Sequence, residues 1–122
     1  MSKKTYQAIH IDAENKEIRL VTINREASLT QLQWFVSGLI TPGHYFENED
    51  LLYVDEEALM KSPEHFFIIE GAHQPFAGNG VVVAGKEYED VVSTLESIKN
   101  KVKFFNRNEI NAHLWLKDWE GL

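Results

Sequence analysis

The sequence predicts an α+β fold, a mixed, mostly antiparallel sheet with two main helices packed against it. Three observations carry the prediction. Short runs of strand-forming residues, parted by brief polar turns, outnumber the helical stretches. One stretch, Ser28–Leu39, repeats apolar residues at spacings of three and four. Another, Arg107–Trp119, opens on a helix-capping signature. With 122 residues, 43% of them hydrophobic, the chain is expected to form one domain, residues 1–122, with its strands and helices sharing one core.

In chain order, Tyr6 to Ile11 is rich in strand formers, and Ala13-Glu14-Asn15-Lys16 is polar and turn-like. Glu17 to Ile23 then alternates, with Ile18, Leu20 and Thr22 opposite Arg19, Val21 and Ile23. Together they predict an N-terminal hairpin. From Ser28, the residues Leu29, Leu32, Val36 and Leu39 line one helical face with Phe35 beside them, and Pro42-Gly43 is expected to terminate that helix. Leu51 to Val54 reads as a strand. Asp55 to Met60 reads as one helical turn with acids at its positive end. Phe66 to Ile69 is a further strand, Gly71 to Gly80 a turn-rich loop, and Val81-Val82-Val83 a strand. Val91 to Leu95 reads as a strand edge, Glu96 to Lys101 as a short helix, and Val102 to Phe105 as a strand. Asn106 and Glu109 have the spacing of a capping box.

Composition narrows the function. The absence of cysteine excludes disulfides, thiolate zinc sites and thiol nucleophiles. Met1-Ser2-Lys3-Lys4 leads straight into a strand-like run, so a cytoplasmic protein without membrane contact is expected. The net charge of −7 argues against direct nucleic-acid binding, which needs clustered Lys and Arg. The acids are scattered among 12 basic residues, unlike the dense array of a nucleic-acid mimic.

No pair among His10, His44, His65, His73 and His113 has the i, i+4 spacing of a helical metal site, so no metal is expected. No serine lies in a nucleophile elbow. Asp55, Glu56 and Glu57 are more simply helix-dipole partners than an acid–base set. No catalytic residue and no cofactor are predicted. Trp34, Trp115 and Trp119 fall on helical stretches; Leu114, Trp115 and Trp119 form either an exposed stripe for self-association or part of the core.

The most unusual segment is His73-Gln74-Pro75-Phe76-Ala77-Gly78-Asn79-Gly80. Gly78 and Gly80 permit positive φ and close backbone approach, Phe76 can stack on a planar ring, and Asn79 can read a base or ribose edge. The same residues also suit a plain hairpin turn, since Asn-Gly is the commonest type I′ pair and Phe76 is a natural core residue. Arg107, at a helix start, and Arg25, just past the hairpin, are either phosphate ligands or partners of nearby acids. The candidate ligand-binding set is therefore His73, Phe76, Gly78, Asn79, Gly80, Arg107 and Arg25.

The opening Ala8-Ile9-His10-Ile11-Asp12, the stretch Leu52-Tyr53-Val54-Asp55-Glu56-Glu57 and the segment from His73 to Val83 resemble a family of short proteins of unknown function from phages, prophages and plasmids. The resemblance covers most of the chain and implies a bacterial host cytoplasm. By analogy with small phage anti-defence sponges, it suggests a homo-oligomeric protein that sequesters, without catalysis, a nucleotide-derived immune signal of the cyclic ADP-ribose or cyclic nucleotide type. The competing reading is an acidic phage protein that inhibits a host enzyme by protein–protein contact.

Overall fold

The computed structural model describes residues 4–110. Their elements run β1 (Thr5–Asp12), β2 (Glu17–Asn24), a 3₁₀ turn (Arg25–Ala27), α1 (Ser28–Val36), β3 (Ile40–Tyr45), β4 (Leu51–Asp55), a 3₁₀ turn (Ala58–Lys61), β5 (His65–Ile69), β6 (Phe76–Ala77), β7 (Gly80–Val83), α2 (Leu95–Lys101) and β8 (Val102–Asn106). The fold is α+β. The strands divide between two sheets, ordered β2-β1-β7-β4-β3 and β6-β5-β8, and every described pairing is antiparallel.

The alternation of side chains builds three layers from these sheets. On one face of the large sheet, Tyr6, Ala8, Val81 and Val83 meet Leu32 and Val36 of α1. On the other, Ile9, Ile11, Leu52, Val54 and Val82 meet Phe67, Ile69 and Phe76 of the small sheet and Ile98 of α2. The central strand β7 is thus buried on both faces, which explains its unbroken Gly-Val-Val-Val run. The outer face of the small sheet packs Phe66 and Ala77 against Ala58 and Ile110.

The β1–β2 hairpin forms as its pattern predicts, in continuous register from Thr5↔Asn24 to Asp12↔Glu17. The capping box also forms in full. Asn106 Oδ1 accepts from the Glu109 amide at 2.8 Å, and Glu109 Oε1 accepts from the Asn106 amide at 2.9 Å. Residues 107–110 are helical; the rest of the expected Arg107–Trp119 helix, with His113, Leu114, Trp115 and Trp119, lies outside the described residues.

Four local expectations change. The first helix ends at Val36, not Leu39, because Ser37 turns left-handed (φ 63°) and the Gly38 amide closes back onto the Gln33 carbonyl at 3.1 Å. A β-carbon on Gly38 would lie 2.4 Å from the Asp55 carboxylate, so glycine is what lets the chain pass there. Leu39, beyond the helix, is exposed, and so is Leu29 at its start. Pro42-Gly43 does not end the helix; it lies inside the edge strand β3, where a register shift falls between Pro42 and His44. Val91 to Leu95 is not a strand, although the Val91 amide bonds the Gln7 carbonyl at 3.0 Å. Asn79-Gly80 is not a type I′ turn: of the two glycines only Gly78 has positive φ, at 76°, and the chain uses it to cross from the small sheet to the large one.

Candidate functional site

The His73–Gly80 segment is built into the protein's interior. The Phe76 ring packs on Phe67, centroids 5.4 Å apart, and is 5% exposed, so it has no free face to stack on a ligand. Gly80 pairs with both Ile11 and Val54. A side chain on Gly80 would come within 2.9 Å of both Leu52 and Phe67. Asn79 Oδ1 accepts from the Ala13 amide at 3.0 Å, tying the segment to the hairpin turn. His73 is exposed and near enough to His44 to help hold that imidazole below its ordinary pKa, after burial, the larger cause.

Gly78 and Asn79 do border a cavity of about 340 Å³, with Lys61 and Asp55 in its wall. The lysine is already engaged there. Its Nζ donates to Asp55 Oδ2 at 2.7 Å and to the Ser37 carbonyl at 3.0 Å. Arg107 meets Glu64 at 3.4 Å on the surface. Of the seven sequence-selected residues, the structure groups Gly78 and Asn79 at this cavity and separates Arg25 from them.

Arg25 instead belongs to another constellation. Its guanidinium lies over the Tyr88 ring, 4.5 Å from the centroid. Tyr88 shares a cavity of about 330 Å³ with Tyr6 and Tyr53, floored by Leu32 and Val83 and flanked by Lys86, Glu87 and Glu89. The rings of Tyr6 and Tyr88 stand 6.2 Å apart at 58°. Burial pushes the Tyr6 hydroxyl above the usual phenol pKa, and its hydrogen bond with Ser28 pulls the other way. The Tyr88 hydroxyl is raised chiefly by its hydrogen bond with Glu87. Ser28 and Leu29, the first residues of α1, also border the cavity, and Ala27 before them offers no side-chain cap.

Two features show how this cavity is made. Tyr88 has φ 65°, left-handed backbone that is uncommon for a bulky residue and is retained only where surrounding contacts enforce it. The segment that follows it is tied down by two carboxylates. Asp50, fully buried, accepts from the Val92 amide at 3.1 Å and the Ser93 amide at 2.6 Å. Asp90 accepts from the Gln7 amide at 2.9 Å. The strap from Ala84 to Ser93 is thus pinned at its far end while Tyr88 faces the cavity. Sequence reasoning missed the strap, since Tyr6, Tyr53 and Tyr88 are remote in the chain; the one available signal was a polar, tyrosine-bearing segment after a buried valine strand.

No family model, curated protein or solved structure matches the chain. Among the described residues, no helix is long and apolar enough to cross a membrane, and no cluster of three or more potential ligands could hold a metal ion.

Proposed function

We propose that the protein is a non-catalytic binder of a small nucleotide-derived ligand, seated in the tyrosine cavity. The observation that carries the reading is the convergence of Tyr6, Tyr53 and Tyr88 on one cavity with Arg25 stacked on Tyr88. Tyr53 and Tyr88, both half-buried, offer ring faces for a base, and the buried Tyr6 backs the cavity behind them. Arg25 and Lys86 suit a phosphate, and Glu87 and Glu89 suit ribose hydroxyls or an exocyclic amine. The cavity's volume of about 330 Å³ is at the small end for ligand sites, so a dinucleotide-sized ligand would stand partly proud of it. By analogy with small phage anti-defence sponges, its use would be sequestration of a cyclic ADP-ribose or cyclic nucleotide signal.

The test is incubation with cyclic ADP-ribose, cyclic mononucleotides and cyclic dinucleotides, followed by denaturation and mass analysis of what is released. The proposal expects one probe to be retained and returned chemically unchanged. Retention should fall about fivefold or more in Tyr88→Ala and in Arg25→Ala, with melting temperatures little altered. Release of a transformed product would make the protein an enzyme. Failure of every probe to bind would favour the competing reading, inhibition by protein contact, for which exposed Trp34, Leu59 and Met60 are available.

A further inference from the structure

The large sheet ends on one side at β2, and the hydrogen-bond parity of the strands shows which β2 groups face outward. The Gln7 amide donates to Asp90 and its carbonyl accepts from Val91, so the odd-numbered residues of β1 address the β7 side. The even ones address β2, where Tyr6, Ala8, His10 and Asp12 lie opposite Ile23, Val21, Arg19 and Glu17. The backbone groups of Ile18, Leu20, Thr22 and Asn24 therefore point away from the sheet. Asn24 confirms this parity independently, because its amide donates to the Gln31 side chain at 2.5 Å, off the sheet. Among the described residues, no other outward amide of β2 meets an acceptor.

An open edge of this length is a template for another strand, and sheets protect such edges with prolines, bulges or lysines. The opposite edge, β3, has Pro42 and a register shift, and β8 of the small sheet carries Lys103. By contrast, β2 is eight residues in unbroken register without proline. Its charged residues, Glu17 and Arg19, pair with each other. Its outward-facing backbone belongs to the uncharged set Ile18, Leu20 and Thr22, and Leu20 is 46% exposed.

We infer that β2 is a self-association edge whose partner is a second copy of this chain. The outward-facing positions Ile18, Leu20 and Thr22 are centred on the exposed Leu20. Antiparallel pairing about a two-fold axis there sets Leu20 against its own copy and each Ile18 against a Thr22. Both outward donors and acceptors are then met, and the exposed leucines cover each other. Two five-stranded sheets become one continuous sheet, the isologous closed arrangement commonest among homodimers.

Light scattering on the full-length protein across the micromolar range, read beside amide hydrogen exchange, tests the inference. The expected mass is twice the 14.1 kDa of the monomer, with the Leu20 and Thr22 amides protected. Leu20→Lys, which places like charges on the axis, should give a folded monomer with those amides exchanging freely. Thr22→Pro should do the same, because it removes a donor that points away from β1 and spares the hairpin ladder. A monomeric parent would overturn the inference, as would a dimer that persists in both variants or one whose Leu20 and Thr22 amides exchange freely.

Discussion

Two segments flank the central strand β7, and the difference between them separates a packing device from a candidate site. The segment before it, His73 to Gly80, has the glycines, the proline and the phenylalanine that stand out in the sequence. The segment after it, Ala84 to Ser93, looks like an ordinary polar connection. The first is held by apolar contacts that consume its most distinctive side chain, Phe76, and by a glycine packed under Leu52 and Phe67. The second is held by carboxylate-to-amide hydrogen bonds from Asp50 and Asp90. Such bonds fix the backbone while leaving Lys86, Glu87 and Tyr88 directed at solvent or cavity. Compositional oddity in a loop can thus mark the demands of packing as easily as those of a ligand.

The comparison breaks first at Phe76. If that ring is core, Phe76→Ala should cost about 3–5 kcal/mol, as a large buried aromatic does. Chemical denaturation would measure it. A loss under 1 kcal/mol together with selectively weakened ligand retention would return Phe76 to the site and reverse the assignment of the two segments.

Next in size is the strap's buried anchor. Asp50→Ala leaves the Val92 and Ser93 amides without their acceptor, which should cost about 1–3 kcal/mol. Hydrogen exchange should show those two amides losing protection. The Phe76–Gly80 segment should lose less protection, since the Asp50 bonds reach only the strap, although Val91 of the strap packs on the same apolar cluster as Phe76. An equal loss in that segment would mean the two are one cooperative unit.

What was legible in the sequence was local. The hairpin and the capping box follow from residues within a few positions of each other, and both form as read. The division of the strands between two sheets was not legible, because Phe66–Ile69 and Val81–Val83 look alike as apolar runs and only their partners tell them apart. The helix end was misplaced for a similar reason: Leu39 continued the apolar spacing, but Gly38 has to pass the Asp55 carboxylate, seventeen residues further on. At the site, Arg25 was legible as a cation for a phosphate or a nearby acid, and the tyrosine it lies over is brought to it by the fold.

Binding variants sharpen the contrast at constant stability. Truncating the Tyr88 ring should cost roughly 1–3 kcal/mol of ligand affinity, the scale of base–aromatic stacking. Arg25→Ala should weaken affinity in a salt-dependent way, because its contribution is to the ligand's charge. Asn79→Ala, on the other side of β7, should leave affinity unchanged and lower stability by about 1 kcal/mol through loss of its bond to the Ala13 amide. Calorimetry and melts on the same three proteins separate these outcomes. Equal affinity losses in Asn79→Ala and Tyr88→Ala would place the ligand at the loop cavity instead.

The smallest expected effect is on pH dependence, and each region has its own histidine. His10 lies under α1, its Nε2 donating to the Phe35 carbonyl at 2.9 Å with the two rings 4.8 Å apart. His44 lies on the other side, its ring 4.9 Å from that of Phe46 and near His73. Burial is the main cause that holds both imidazoles below the usual value of 6.5. The unfolded chain therefore takes up protons near pH 6.5 that the folded chain still refuses. Stability should be level above that pH and decline as the pH falls through and below it. His10→Phe should flatten part of this decline, and His44→Phe a smaller part, since His10 is the more enclosed. Urea denaturation at a series of pH values between neutrality and the carboxylate range reads both. If His44→Phe flattened the profile more than His10→Phe, the loop region would be the more tightly sealed of the two, contrary to the packing under α1.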